Sequence, residues 1–200
     1  MTASITELSC PTLDGASADR VMLAHGEGGR LMRQLIERQI LPAFGNEFLR
    51  MAGDAAVLPA IRGSIAMTTD SYVVSPIFFP GGDIGKLAVF GTVNDLAVAG
   101  ARPRWITLSL ILEEGLEMST LRHVLASVAA AAKQVDVLVV TGDTKVVPKG
   151  AADQLFINTT GIGEFIAPPP AGPSGLEVGD ELIVSGPVGR HGMAVMSARE

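Results

Sequence analysis

The 200-residue chain is short of the residues on which several large protein classes depend. It has a single cysteine, Cys10, which excludes both a disulfide and a cysteine-based zinc site within one copy. Lysine and arginine number 15 against 21 acidic residues, a net charge of −6, and they form no cluster. A nucleic-acid surface concentrates positive charge, so no nucleic-acid partner is expected. Uncharged apolar stretches such as Val124–Ala132 fall far short of the ~18 residues of a spanning helix, so no membrane span is expected despite a mean hydropathy of +0.38. The N-terminus lacks a basic segment followed by an apolar core, which removes a secretory signal and leaves the cytoplasm as the expected location. There is no Gly-x-Ser-x-Gly elbow, no His-Glu-x-x-His and no dinucleotide fingerprint, so hydrolase triads, zinc proteases and ordinary NAD enzymes lose support.

What is abundant is glycine, 23 residues, within a chain that is 48% hydrophobic and only 4% aromatic. That apolar share is enough for a folded core and rules out disorder over most of the chain. Residues 1–20 are polar and aperiodic and read as a flexible extension. Leu31, Leu35, Ile36 and Ile40 then recur at helical spacing, predicting a helix that ends near Pro42. Ala55–Leu58 and Ile65–Thr69 read as strands, the second ending at Asp70. Asp83, after Pro80-Gly81-Gly82, is the expected N-cap of a helix over Ile84–Gly100, which is apolar enough to be buried all round.

Trp105–Leu112 reads as a strand. Leu121, Val124, Leu125, Val128, Ala132 and Val135 define an amphipathic helix with Ser119 as its expected N-cap. Val137–Val140, ending in Thr141-Gly142-Asp143-Thr144, and Leu155–Ile162 complete the strands. Strands alternating with helices predict a mixed α/β (α+β) domain over 21–166. The segment 167–175, Ala-Pro-Pro-Pro-Ala-Gly-Pro-Ser-Gly, reads as a linker. Residues 176–200, with a strand expected at Leu182–Ser185, are too few for a core and read as the start of a truncated second domain.

The chemistry-bearing theme is an aspartate among small residues, at Gly53-Asp54-Ala55, Thr69-Asp70-Ser71, Asn94-Asp95-Leu96 and Gly142-Asp143-Thr144. Carboxylates in such settings can converge on a hard cation, and neighbouring glycines let backbone N–H groups approach an anion. Each aspartate taken singly also fits a turn or cap. Asp95 lies on a face with Ala88, Gly91, Thr92 and Ala99, and such a carboxylate needs a metal, a lysine or a single salt bridge. Gly81-Gly82-Asp83-Ile84-Gly85-Lys86 is one residue too short between its glycines for a P-loop and lacks the Ser/Thr after lysine. A helix N-terminus after the two glycines, Gly81 and Gly82, can still hold phosphate through its free N–H groups, with Lys86 in its first turn. Lys145 fits either a phosphate or reacting-group contact or an exposed side chain. His25 in its glycine-rich turn fits a ligand or a helix entry, His123 reads as surface, and His191 stays open.

Taken together and in order, these motifs resemble the HypE family of hydrogenase maturation factors. The carriers are His25-Gly26-Glu27-Gly28-Gly29, Asp54-Ala55-Ala56-Val57, Thr69-Asp70-Ser71-Tyr72-Val73, Phe79 through Ala88, Thr92 through Pro103, and Thr141 through Val147. The likeness covers roughly 21–166, and Gly186–Gly192 is similar to the start of that family's second domain. It implies the fold shared with aminoimidazole ribonucleotide synthetase, selenophosphate synthetase and thiamine-monophosphate kinase: a mixed-sheet domain that pairs with a second copy and binds Mg-ATP between domains and subunits. On that resemblance Asp54, Asp70, Asp95 and Asp143 line the magnesium and ATP site, Gly82 and Lys86 contribute to nucleotide binding, and Lys145 with Asp143 serves the reacting group.

The implied reaction is the ATP-dependent conversion of a carbamoylated C-terminal cysteine to a thiocyanate, the source of the cyanide ligands of nickel-iron hydrogenase. HypF is the implied carbamoyl donor and the HypC–HypD complex the implied cyanide acceptor. The family's closing motif, close to Pro-Arg-Ile-Cys, has no counterpart before Glu200, and Cys10 lies in the unmatched extension. The 200 residues are therefore expected to be part of the enzyme and not to accept a carbamoyl group themselves. Two alternatives stand beside this reading. One is a kinase-like relative of the thiamine-monophosphate kinase type, against which Phe78-Phe79-Pro80-Gly81-Gly82 and Lys145-Val146-Val147 argue. The other is a non-catalytic dimerisation module.

Overall fold

The computed structural model describes residues 19–199 apart from 52, 167, 171 and 185. Cys10 and nearly all of the expected extension 1–20 lie outside the described residues. Twelve regular elements, α1 to α6 and β1 to β6, follow along the chain. The first described contacts come earlier than the domain start expected at Val21: Arg20 bridges Glu117, and Met118 N–H donates to the Asp19 carbonyl.

A 3-10 turn over Leu23–Gly26 leads into α1, Arg30–Leu35, a π-turn over Ile36–Ile40, and α2, Leu41–Phe44. The helical path thus passes through Pro42 instead of ending there. A proline ring collides with the carbonyl four residues back and offers no N–H. The π-turn directly upstream widens the coil where that collision would fall. Gly45, with φ 50, ends the path in the left-handed cap that glycine adopts most easily. In α3, Glu47–Arg50, the Asn46 side chain accepts from Leu49 N–H and its amide donates to the Val139 carbonyl, tying the segment to the sheet.

The sheet has the order β1-β6-β4-β5, built from β1 (Ile65–Tyr72), β6 (Leu155–Phe165), β4 (Ala101–Glu113) and β5 (Leu138–Val147). The pairs β1–β6 and β4–β6 are antiparallel and β4–β5 is parallel, so the expected mixed sheet is what forms. Three expectations change. Ala55–Leu58 forms no strand, with Val57 76% exposed, and no strand forms at 182–184. Asp70 and Asp143 lie inside β1 and β5, not beyond their ends, because hydrogen-bonded pairing with β6 and β4 carries each strand through its polar stretch.

One face of the sheet is covered by α4, Ile84–Val98, and α5, Met118–Gln134. Asp83 caps α4 as expected, its carboxylate accepting from Lys86 N–H at 3.0 Å and from the buried Ser127 hydroxyl. The cap of α5 is Glu117, which makes no side-chain cap bond, and Ser119 sits within the first turn. Ile84, Ala88 and Val89 of α4 meet Leu121, Val124 and Leu125 of α5 above Ile106, Leu108 and Leu110 of β4. Burial of α4 is one-sided, however, with Asn94, Asp95 and Val98 facing out. The opposite sheet face carries no helix and exposes Ile65, Met67 and Ile111.

A hairpin of β2, Phe78–Phe79, and β3, Gly82–Asp83, precedes α4. The linker segment contains a 3-10 turn at Gly172–Gly175. Beyond it α6, Arg190–Ser197, touches the main domain through Arg199, whose Nε donates to the Ser75 carbonyl, and through an edge contact of His191 on Phe79.

Candidate functional site

A hollow large enough for a nucleotide lies where α1 to α3 arch over the β5 edge. This cleft, of about 490 Å³, is lined by Gly28, Gly53, Asp54, Thr141, Gly142 and a wall of apolar side chains including Phe48. Its volume falls in the range of small-molecule sites, and it combines an apolar wall with convergent polar backbone. Gly142 is dictated by packing, since a Cβ there would overlap the Leu108 carbonyl of the neighbouring strand. At the cleft's N-terminal entry His25 is 3% exposed and its Nδ1 accepts from Met22 N–H at 2.9 Å. His25 therefore serves the entry turn, and burial holds its pKa below the ordinary value, leaving a neutral ring with the proton on Nε2.

The four aspartates do not gather in one copy. Asp54 faces the cleft and is exposed. Asp143 is also exposed and accepts from Thr144 N–H at 2.8 Å and from Lys145 Nζ at 3.1 Å. Strand alternation puts Thr144 in the core and Asp143 with Lys145 on the helix-free face. Asp70 sits on β1 at the far edge of the sheet, three strand spacings and about 14 Å from β5. It accepts from the Tyr72 hydroxyl at 3.1 Å. Asp95 is exposed on α4 and accepts from Thr68 Oγ1 at 2.9 Å, so the partner it was expected to need is a threonine. Among the described residues no three His, Cys, Asp or Glu side chains are placed to hold a metal ion.

Gly82 lies in the hairpin under the Phe79 ring, and Lys86 is exposed. At the α4 start Ile84 N–H donates to the Ile77 carbonyl and Lys86 N–H to Asp83. Two of the N–H groups that a phosphate at Gly82 and Lys86 would use are thus already engaged. His123 is exposed as expected, stacked on Phe78 with ring centres 4.6 Å apart. A feature not foreseen is a chain of hydroxyls from Asp70 through Tyr72, Thr92 and Thr159 into the core. Its available signal was the two-residue spacing of Asp70 and Tyr72 on one strand face.

The model of the AIR synthase related protein, N-terminal domain, matches residues 52–165, more than half of the chain. The chain belongs to the AIR synthase related family. The match runs from the Asp54 turn to the end of β6 and so contains all four aspartates, while the His25 turn and α1 precede it. Within this family the chain is 49% identical over 187 residues to the carbamoyl dehydratase HypE of Bradyrhizobium diazoefficiens, covering 90% of this chain and 52% of that protein. It spans about half the length of the curated relatives it matches. A crystal structure of the hydrogenase maturation protein HypE in complex with ATP superposes with a TM-score of 0.73 and 55% identity, covering 76% of this chain and 45% of that one. A HypE–HypF complex gives 0.67 and 48%, covering 86% and 54%.

An AIR synthase related chain is thereby tested against the nucleotide its relative holds. The cleft offers an apolar wall, glycine backbone able to approach an anion, the guanidinium of Arg33 and two carboxylates, Glu37 and Asp54. Magnesium commonly needs only one or two carboxylates once nucleotide phosphates and waters complete its shell. No helix of the described residues is long and apolar enough to cross a membrane.

Proposed function

We propose that this chain supplies the nucleotide-binding part of a HypE-type carbamoyl dehydratase acting in nickel-iron hydrogenase maturation in the cytoplasm. The observation that carries the reading is 55% identity to a HypE crystallised with ATP, in a chain whose cleft has the volume of a small-molecule site. In this reading Phe48 and its apolar neighbours receive the base, the backbone of Gly28, Gly53 and Gly142 receives phosphate oxygens, and Asp54 holds magnesium. Magnesium, when bound, neutralises phosphate charge.

The working site is shared between two copies. The helix-free sheet face is the pairing surface, and a two-fold axis along the strands sets the β1 edge of one copy opposite the β5 edge of the other. Asp70 and Asp95 of one copy then stand near Asp54, Asp143 and Lys145 of its partner. That arrangement accounts for aspartates split between opposite edges of one sheet. Lys145, held by Asp143, offsets charge developing at the reacting group. Phosphorylation turns the poor carboxamide oxygen into a good leaving group, and its loss as phosphate gives the thiocyanate. HypF donates the carbamoyl group and HypC–HypD receives the cyanide. The HypE–HypF complex supports the first of these partners.

Equilibrium dialysis with labelled ATP tests the reading. Saturable binding that requires magnesium is expected. A folded chain that takes up no ATP contradicts it and leaves the non-catalytic dimerisation module as the surviving description.

A further inference from the structure

We propose that Tyr72 is a positioning residue for Asp70, with its phenol proton aimed at the carboxylate by a buried relay of threonine hydroxyls. The proposal rests on the reading above that Asp70 serves the Mg-ATP site. Four links run in series: Tyr72 to Asp70 Oδ2 at 3.1 Å, Tyr72 to Thr92 Oγ1 at 3.1 Å, Thr92 to Thr159 Oγ1 at 2.5 Å, and Thr159 to the Ala88 carbonyl at 3.2 Å. Only three hydroxyl protons are available for them, and both ends of the series, a carbonyl and an ionised carboxylate, can only accept. In each end contact the hydroxyl is the sole possible donor, so Thr159 gives its proton to Ala88 and Tyr72 gives its own to Asp70. The single Thr92 proton is then left for one of the two middle links at a time.

Thr92 and Thr159 are at most 1% exposed, so water does not compete for these protons. Gly91 completes the arrangement, because a Cβ there would collide with the Tyr72 oxygen. The result is a carboxylate whose Oδ2 is fixed while its Oδ1 has no hydrogen bond among the described residues. Oδ1 is the oxygen left to face a ligand.

The test is a cycle of Tyr72→Phe, Asp70→Asn and the double variant in the full chain, read by calorimetric titration with Mg-ATP. Thermal unfolding is followed in parallel. A hydrogen bond to a charged group of this kind corresponds to about a tenfold loss of affinity. Tyr72→Phe is expected to weaken Mg-ATP binding by about that factor, and the double variant to bind no worse than Asp70→Asn alone. Losses that multiply in the double variant, or unchanged affinity in Tyr72→Phe beside a weakened Asp70→Asn, overturn the positioning role. Unchanged affinity in Asp70→Asn overturns the premise instead, and the positioning role with it.

Discussion

His25 shows how one side chain links folding to pH. Its ring is buried and neutral because charging it in the entry turn would forfeit solvation. The folded-state pKa lies below the unfolded value of 6.5, so the unfolded chain takes up the proton first as pH falls. The stability His25 provides is complete above about pH 6.5 and drains away below it. Urea midpoints measured from pH 7.5 to 5 should fall for the native chain, and that fall should be shallower in His25→Gln. Equal slopes would show that another group governs acid sensitivity. The sequence left His25 between ligand and entry roles, and only the contact with Met22 decides it.

Among the elements, packing overrides local pattern wherever the two disagree. β5 continues through Thr141-Gly142-Asp143-Thr144 because its backbone pairs with β4 from Trp105 to Glu113, although those residues read as a strand terminus. Gly142→Ala pushes a methyl group into the Leu108 carbonyl and should destabilise the fold by about 1–3 kcal/mol. A lowered urea midpoint at unchanged m-value checks this. The legible elements were those with strong periodicity or a cap, such as α5 with Leu121, Val124, Leu125 and Val128, or α4 behind Asp83. The illegible ones were set by tertiary partners. Pro42 stayed inside a helical path because a π-turn precedes it, and Ala55–Leu58, though apolar, had no strand to pair with.

For the whole molecule, the residue pattern marks candidates but not their placement. Asp54, Asp70, Asp95 and Asp143 were legible as chemistry-bearing because each sits among small residues. Their distribution over two edges and both faces depends on sheet order, which periodicity does not encode. The proposed site shared between copies is one way to bring them together. Ile111, 40% exposed at the middle of the helix-free face, tests it. Ile111→Lys should leave the secondary structure intact, shift sedimentation to the monomer, and lose Mg-ATP affinity at least tenfold. A monomeric variant with native affinity would place the whole nucleotide site within one copy.

The central claim is that the cleft between the α1–α3 arch and β5 is where ATP binds. Hydrogen exchange with and without Mg-ATP addresses it at residue resolution. Slowed exchange is expected at the three stretches that line that cleft, around Gly28, at 53–56 and at 140–142. Protection confined to other segments, with those three unchanged under saturating Mg-ATP, would contradict it.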